Sequence, residues 1–192
     1  MKLKNVISIL GSPGTGKSTL AAGLFYQMKL NHFNVELVTE YAKDLTWEDR
    51  VNILQEDQLY ILAQQHRRFY RLIDKVDYII TDSPLILGLL YFDPEKMQVY
   101  SEHLFRGMVH SIFNKYPNLN IFLTRNKEAK YQHDGRFQSF DEAVKIDEEL
   151  ETLIKFYKIP HIKVEVVPHT LEKVTNIIEE TCDIKFPIKV TI

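Results

Sequence analysis

Gly11-Ser12-Pro13-Gly14-Thr15-Gly16-Lys17-Ser18 has the spacing G-x-x-x-x-G-K-[ST], and the chemistry that spacing serves is the holding of a phosphate chain. The motif lies between a β-branched run, Val6 to Leu10, and a segment of helical period that begins at Lys17. Gly11, Gly14 and Gly16 give the backbone conformations closed to other residues, so that successive N–H groups converge on phosphate oxygens. Lys17 brings a mobile cation to the β and γ phosphates, Ser18 offers a hydroxyl to Mg²⁺, and the helix N-terminus adds its own positive potential. Ser12, Thr15 and Thr19 complete the set expected to contact a nucleotide, which points to ATP with Mg.

A second group of reactive side chains sits at the carboxyl ends of other strand candidates, where open α/β sheets bind their ligands. Asp82 ends the run YIITDSP, where it would hold Mg²⁺ through water or take a proton from an attacking hydroxyl; a turn aspartate ahead of Pro84 is the plainer reading. Ser83 follows it in place of the glutamate that activates water in ATP-driven motors. Asn126-Lys127-Glu128-Ala129 starts like the guanine-reading N-K-x-D but lacks its aspartate, which disfavours a GTPase switch. Glu40 and Tyr41 follow the run VELVT; Glu40 is placed to bind an acceptor hydroxyl or act as general base, and Tyr41 and Trp47 either stack on a flat heterocycle or cover the core. Gln65 interrupts the apolar stripe Leu62, Phe69, Leu72 and Val76, so its amide must meet backbone, water or a substrate base. Arg68, beside Arg67, is the cation on this side with a claim on a substrate phosphate.

The third concentration of charge is RNKEAKYQHDGRFQ, which sets Arg125, Lys127, Lys130, His133 and Arg136 around Gly135. It follows the fourth strand candidate, so its root opens onto the same edge of the sheet. An arm with Arg125 at its base and Arg136 beyond a flexible Asp134-Gly135 would close over a nucleotide, neutralise charge on a migrating phosphoryl group and exclude water. Ser139-Phe140-Asp141-Glu142 has the form of a capping box, which would anchor the far end of this lid at about 125–140 on the next helix.

The elements that must position these groups are legible as an alternation. Strand candidates are Val6 to Leu10, Val35 to Thr39, Tyr78 to Thr81, Ile121 to Leu123 and Val164 to Val167. Helical segments run at about Lys17 to Leu30, Arg50 to Asp74, Pro94 to Tyr116, Asp141 to Tyr157 and Thr170 to Cys182. That order predicts an α/β fold of three layers, a parallel sheet with helices on both faces. With 192 residues, 45% of them hydrophobic, one core is affordable, and residues 1–192 are expected to form a single domain. A formal net charge of −2 gives no whole-molecule attraction to nucleic acid or anionic membrane. No apolar run reaches the roughly 20 residues that span a bilayer, the glycine turn follows MKLKNVISIL too closely for a signal peptide, and Cys182 is the sole cysteine; a cytoplasmic location is the expectation. The tail KFPIKVTI reads as an added edge strand or as disordered chain.

Taken together, the glycine turn, Glu40-Tyr41, the Thr81-Asp82-Ser83-Pro84 step, the Asp134-Gly135-Arg136 arm and the stretch FYKIPHIKV resemble P-loop small-molecule kinases. These residues resemble the ribosylnicotinamide kinase module of NadR-type proteins and related stand-alone phage kinases, some of which phosphorylate hydroxymethylated pyrimidine bases in DNA. The resemblance extends from about Val6 to Val166. It implies the P-loop NTPase fold with five parallel strands in the order 2-3-1-4-5. It implies a phosphotransferase in which Lys17 and Ser18 handle ATP and Mg, Glu40 or Asp82 handles the acceptor hydroxyl, and Arg136 belongs to the lid. The acceptor is then a nucleoside- or nucleotide-like small molecule; a modified base in DNA and a non-catalytic nucleotide-binding switch are the alternatives.

Overall fold

A computed structural model describes residues 5–96, 101–126 and 139–190. Five short strands, β1 (Asn5–Leu10), β2 (Val35–Val38), β3 (Tyr78–Thr81), β4 (Asn118–Thr124) and β5 (Ile162–Glu165), form one sheet in the order β2-β3-β1-β4-β5. Every pairing is parallel. Parallel neighbours need a crossover, and helices provide it: α1 (Lys17–Leu30), α2 (Tyr41–Trp47), α3 (Val51–Glu56), α4 (Gln58–Tyr70), α5 (Glu102–Phe113), α6 (Phe140–Phe156) and α7 (Thr170–Cys182). The three-layer P-loop NTPase fold and the strand order expected from the sequence are the ones observed.

The strands read as continuous apolar runs because both faces of the sheet are covered. Ile7, Ile9, Tyr78, Ile80, Leu119, Ile121 and Leu123 pack against Leu20, Leu24 and Met28 of α1 and Val174 and Ile178 of α7. Their alternate neighbours point the other way. Leu10 and Phe122 meet Leu62, Val109, Leu150 and Ile154, while Val6, Val38 and Ile79 meet Phe69 and Val76. The period-two alternation therefore assigns each strand residue to one of two helical layers.

Three segments depart from the sequence expectation. The long helix expected from Arg50 to Asp74 is broken at Asp57, whose φ of −137° and ψ of 72° turn the chain while its carboxylate accepts the Tyr60 N–H at 2.9 Å. A separate short helix, α2, precedes it directly after Glu40. The helix expected from Pro94 begins only at Glu102, and the apolar run Leu85–Leu90 winds instead as a 3₁₀ segment that buries Ile86, Leu87 and Leu89. The described part of the tail, residues 185–190, adds no strand to the sheet and lies against the end of α1 with most of its side chains exposed. Phe186 is buried against Phe33, and the Gln27 and Asn31 side chains of α1 bond the backbone of Ile188 and Val190. No helix among the described residues is long and apolar enough to cross a membrane.

Candidate active site

The sheet register brings the reactive positions together. Thr81 of β3 pairs with Ser8 of β1 on one side and Val38 of β2 on the other, so the glycine turn, Asp82 and Glu40 all follow adjacent strand ends at one edge. At that edge Gly14 and Gly16 adopt φ of 82° and 85°, left-handed values that favour glycine, and the turn delivers the chain into α1. Gly11 is required for a different reason: a Cβ there would lie 2.5 Å from Thr15 Oγ1 and 3.3 Å from the Leu123 carbonyl. The loop is curled on itself, since the Lys17 ammonium and the Thr15 hydroxyl each donate to the Ser12 carbonyl at 2.9 Å. No acidic side chain occupies the first turn of α1, which leaves the helix's positive end undiminished by its own sequence.

In front of this turn lies a cavity of about 440 Å³, a volume suited to a nucleoside-sized molecule. Its lining includes Gly14, Gly16, Lys17, Ser18 and Thr19 of the turn and α1, then Glu40, Asp82 and Ser83 beyond the neighbouring strands, and the apolar side chains of Leu54, Ile61, Leu62, Leu85 and Leu87. Asp82 is 3% exposed and its Oδ1 has no hydrogen-bond partner among the described residues. A buried carboxylate oxygen left unpaired carries a large desolvation cost unless a cation or donor meets it. With the Ser18 hydroxyl lining the same cavity, the oxygen donor set fits Mg²⁺, a hard cation that takes few protein ligands and completes its shell with phosphate and water. Consistent with so sparse a site, no group of three or more His, Cys, Asp or Glu side chains among the described residues is arranged to hold a metal.

Other residues singled out by the sequence have structural employment. Gln65 borders the cavity, but its amide is taken by backbone: Oε1 accepts the Tyr41 N–H at 2.8 Å and Nε2 donates to the Thr39 carbonyl at 3.3 Å. Tyr41 does not line the cavity. Its hydroxyl meets that of Tyr60 at 2.8 Å, and burial, followed by that hydrogen bond, pushes its pKa up to about 12. Arg68 lies over the Tyr41 ring at 5.1 Å, bonds the Thr39 hydroxyl at 3.2 Å and pairs with Asp44, so the three side chains brace α2 against α4. Trp47 is 63% exposed. Arg125 lies behind the glycine turn, where its guanidinium donates to the Ser12 hydroxyl and the Pro13 carbonyl, each at 2.7 Å, and to Asp147 of α6 at 3.0 Å. Ser12 in turn donates to Asp147. Arg136, with Lys127, Lys130 and His133, lies outside the described residues. The capping box expected from Ser139-Phe140-Asp141-Glu142 is present: Ser139 and Glu142 cap α6 reciprocally, and the bond from the Ser139 N–H holds the Glu142 carboxyl below its ordinary range.

Two residues carried no sequence signal. Asp147 sits in the charged run IDEEL and reads there as solvated helix surface; only the fold brings it to Arg125 and Ser12. Lys43, in the first turn of α2, lines the cavity, but nothing in the sequence marks the short helix that presents it.

Fold and site together define a P-loop NTPase. More specifically, the chain belongs to the family described as the AAA domain, whose profile matches residues 6–172. No curated protein matches the sequence. Among solved structures it resembles NadR in complex with NR, at 15% identity and a TM-score of 0.69 over 97% of this chain and 53% of that one. NadR in complex with NAD and AMP-PNP matches at 16% identity and a TM-score of 0.65, with 97% of this chain and 51% of that chain covered. Deoxyadenosine kinase from M. mycoides with bound dCTP matches at 18% identity and a TM-score of 0.59, over 91% of this chain and 99% of that one. The chain thus spans about half the length of NadR and nearly all of the deoxyadenosine kinase. At these identities the likeness is one of fold.

Proposed function

We propose that the protein is an ATP- and Mg-dependent phosphotransferase that moves the γ-phosphoryl group to a hydroxyl of a nucleoside- or nucleotide-like acceptor. The observation that supports this reading above others is that the phosphate turn, Asp82 and Glu40 line one cavity together with apolar side chains. The fold likeness to NadR in complex with NR and to deoxyadenosine kinase with bound dCTP is consistent with it.

In this reading the glycine turn and Lys17 bind and orient the triphosphate, and Ser18 and Asp82 hold Mg²⁺, whose charge offsets that of the phosphates when it is bound. Glu40 orients the acceptor hydroxyl and accepts its proton as the new O–P bond forms and the bond from the γ phosphorus to the ADP oxygen breaks. Asp82 is the less suitable base because its buried carboxylate is better used on the cation. Ser83 in the position after Asp82 leaves no carboxylate there to activate water, which favours an organic acceptor over hydrolysis. Arg136 on the arm at 125–140 is retained as the transition-state cation of the lid. ATP would serve as donor, with residues 1–192 forming one domain.

The test is Glu40→Gln assayed with γ-labelled ATP and a panel of nucleosides and nucleotides. The reading expects wild-type label on an acceptor hydroxyl, and a kcat lowered roughly 10²- to 10⁴-fold in the variant with ATP affinity retained. A variant that transfers label at the wild-type rate removes Glu40 from this role.

A further inference from the structure

We infer that the acceptor is anionic, carrying a phosphate group, and that Lys43 receives that charge. The inference rests on the proposed kinase reading and extends it to the class of substrate.

It begins from the charges around the cavity. Three ammonium groups line it, Lys17, Lys43 and Lys96, against three carboxylates, Glu40, Asp82 and Asp93. Lys17 belongs to the phosphate turn and Asp82 to the cation site. Lys96 and Asp93 stand 3.7 Å apart as a loose pair at the rim. Lys43 is half-buried on α2, and among the described residues no carboxylate or other hydrogen-bonding group meets its ammonium. Asp44, the carboxylate next to it in sequence, is turned away and occupied by Arg68. Partial burial with no counter-ion is an unfavourable setting for an ammonium group unless a ligand completes it.

Position makes the ligand an acceptor rather than ATP. Glu40 lies just before α2 and Lys43 in its first turn, so both are presented by one short, braced element at the β2 end of the cavity. A nucleotide whose hydroxyl is placed at Glu40 then has its phosphate near the part of the cavity lining that α2 supplies, Lys43 with Thr46. A neutral nucleoside would leave Lys43 unpaired, whereas a phosphate gives it a charge-assisted hydrogen bond. The phosphate has two sources, a mononucleotide or a nucleotide within a DNA strand, and a net charge of −2, which gives the chain no whole-molecule attraction to a strand, favours the mononucleotide.

The experiment is calorimetric binding, without ATP, of a nucleoside panel, the matching 5′-monophosphates and a short oligodeoxynucleotide to wild type, Lys43→Gln and Lys43→Arg. It is paired with label transfer from γ-labelled ATP to the same compounds. The inference expects monophosphates to bind at least tenfold more tightly than nucleosides. It expects Lys43→Gln to cancel that advantage by roughly 10- to 100-fold while changing nucleoside affinity less than twofold, and Lys43→Arg to restore most of it. A preference for the oligonucleotide would keep the phosphate and assign it to DNA. Equal binding of nucleoside and monophosphate by wild type, or a monophosphate preference indifferent to Lys43→Gln, overturns the inference while label transfer leaves the kinase reading standing. Absence of transfer to every compound removes the kinase reading, and the binding arm still decides on Lys43.

Discussion

Removing the Asp147 carboxylate should loosen the phosphate turn from behind. In Asp147→Ala the Arg125 Nε bond at 3.0 Å and the bond from the Ser12 hydroxyl are both lost. Hydrogen bonds to charged groups contribute about 1.5–3 kcal/mol each when well buried. Here the arginine side chain is 13% exposed and the aspartate 30%, so solvent screening reduces the pair, and Arg125 keeps the Ser12 hydroxyl and the Pro13 carbonyl as partners. A net cost of about 2 kcal/mol follows, which for a chain of this length lowers Tm by about 4–8 °C. Because the lost contacts end on Ser12 and on Arg125, which itself holds the Pro13 carbonyl, part of the cost should appear as weaker ATP binding, about three- to tenfold, measured by calorimetry below Tm. Asp147→Asn keeps one acceptor oxygen and should fall between. A cycle pairing Asp147→Ala with Arg125→Ala should show a coupling of about 1 kcal/mol. If Asp147→Ala matched wild type in both Tm and ATP affinity, the clamp would contribute nothing and the reasoning would fail.

Gly11→Ala should weaken nucleotide binding at least tenfold, since its Cβ meets Thr15 Oγ1 at 2.5 Å and the Thr15 hydroxyl must leave the Ser12 carbonyl; calorimetry with an ATP analogue checks this. Asp82→Asn should abolish most of the Mg²⁺-dependent gain in ATP affinity while leaving metal-free binding within a few-fold, measured by titration with and without EDTA. The tail should detach in acid. The Glu179 carboxyl is held below its ordinary range first by the Phe186 N–H at 2.8 Å and then by Lys189, so its stabilising effect is full above the unfolded pKa of about 4.5 and is lost as pH falls through the lower folded value. Limited proteolysis or hydrogen exchange at residues 183–190 should therefore accelerate below about pH 4.5 and stay constant from pH 6 to 8.

What the sequence disclosed and what it concealed divide along physical lines. The phosphate turn, the strands and α1 were legible because each depends on local constraints: glycines at positive φ, period-two burial, and a helix that starts at Lys17. The same holds for the capping box at Ser139, a local exchange of two hydrogen bonds. The break at Asp57 was concealed because no glycine or proline marks it; an aspartate capping Tyr60 does the work. Arg125 was legible as important but not in its surroundings, since its partners Ser12 and Asp147 lie 113 and 22 residues away. Gln65 was correctly seen as a buried amide needing a partner, and the partner is the backbone of Thr39 and Tyr41, which only the crossing of α4 over the β2 end supplies. Lys43 stayed hidden for a related reason: a lysine in a short helix carries no pattern until the cavity beside it exists.

The central claim is that phosphate turn, Asp82 and Glu40 face one cavity in which a phosphoryl group passes between two bound molecules. It is tested most directly by following γ-labelled ATP and counting label on acceptor against label released as inorganic phosphate, for wild type and Lys17→Ala. The account predicts label on an acceptor hydroxyl, little free phosphate, and neither in the variant. Label released only as free phosphate, at a rate indifferent to every acceptor offered, would contradict it.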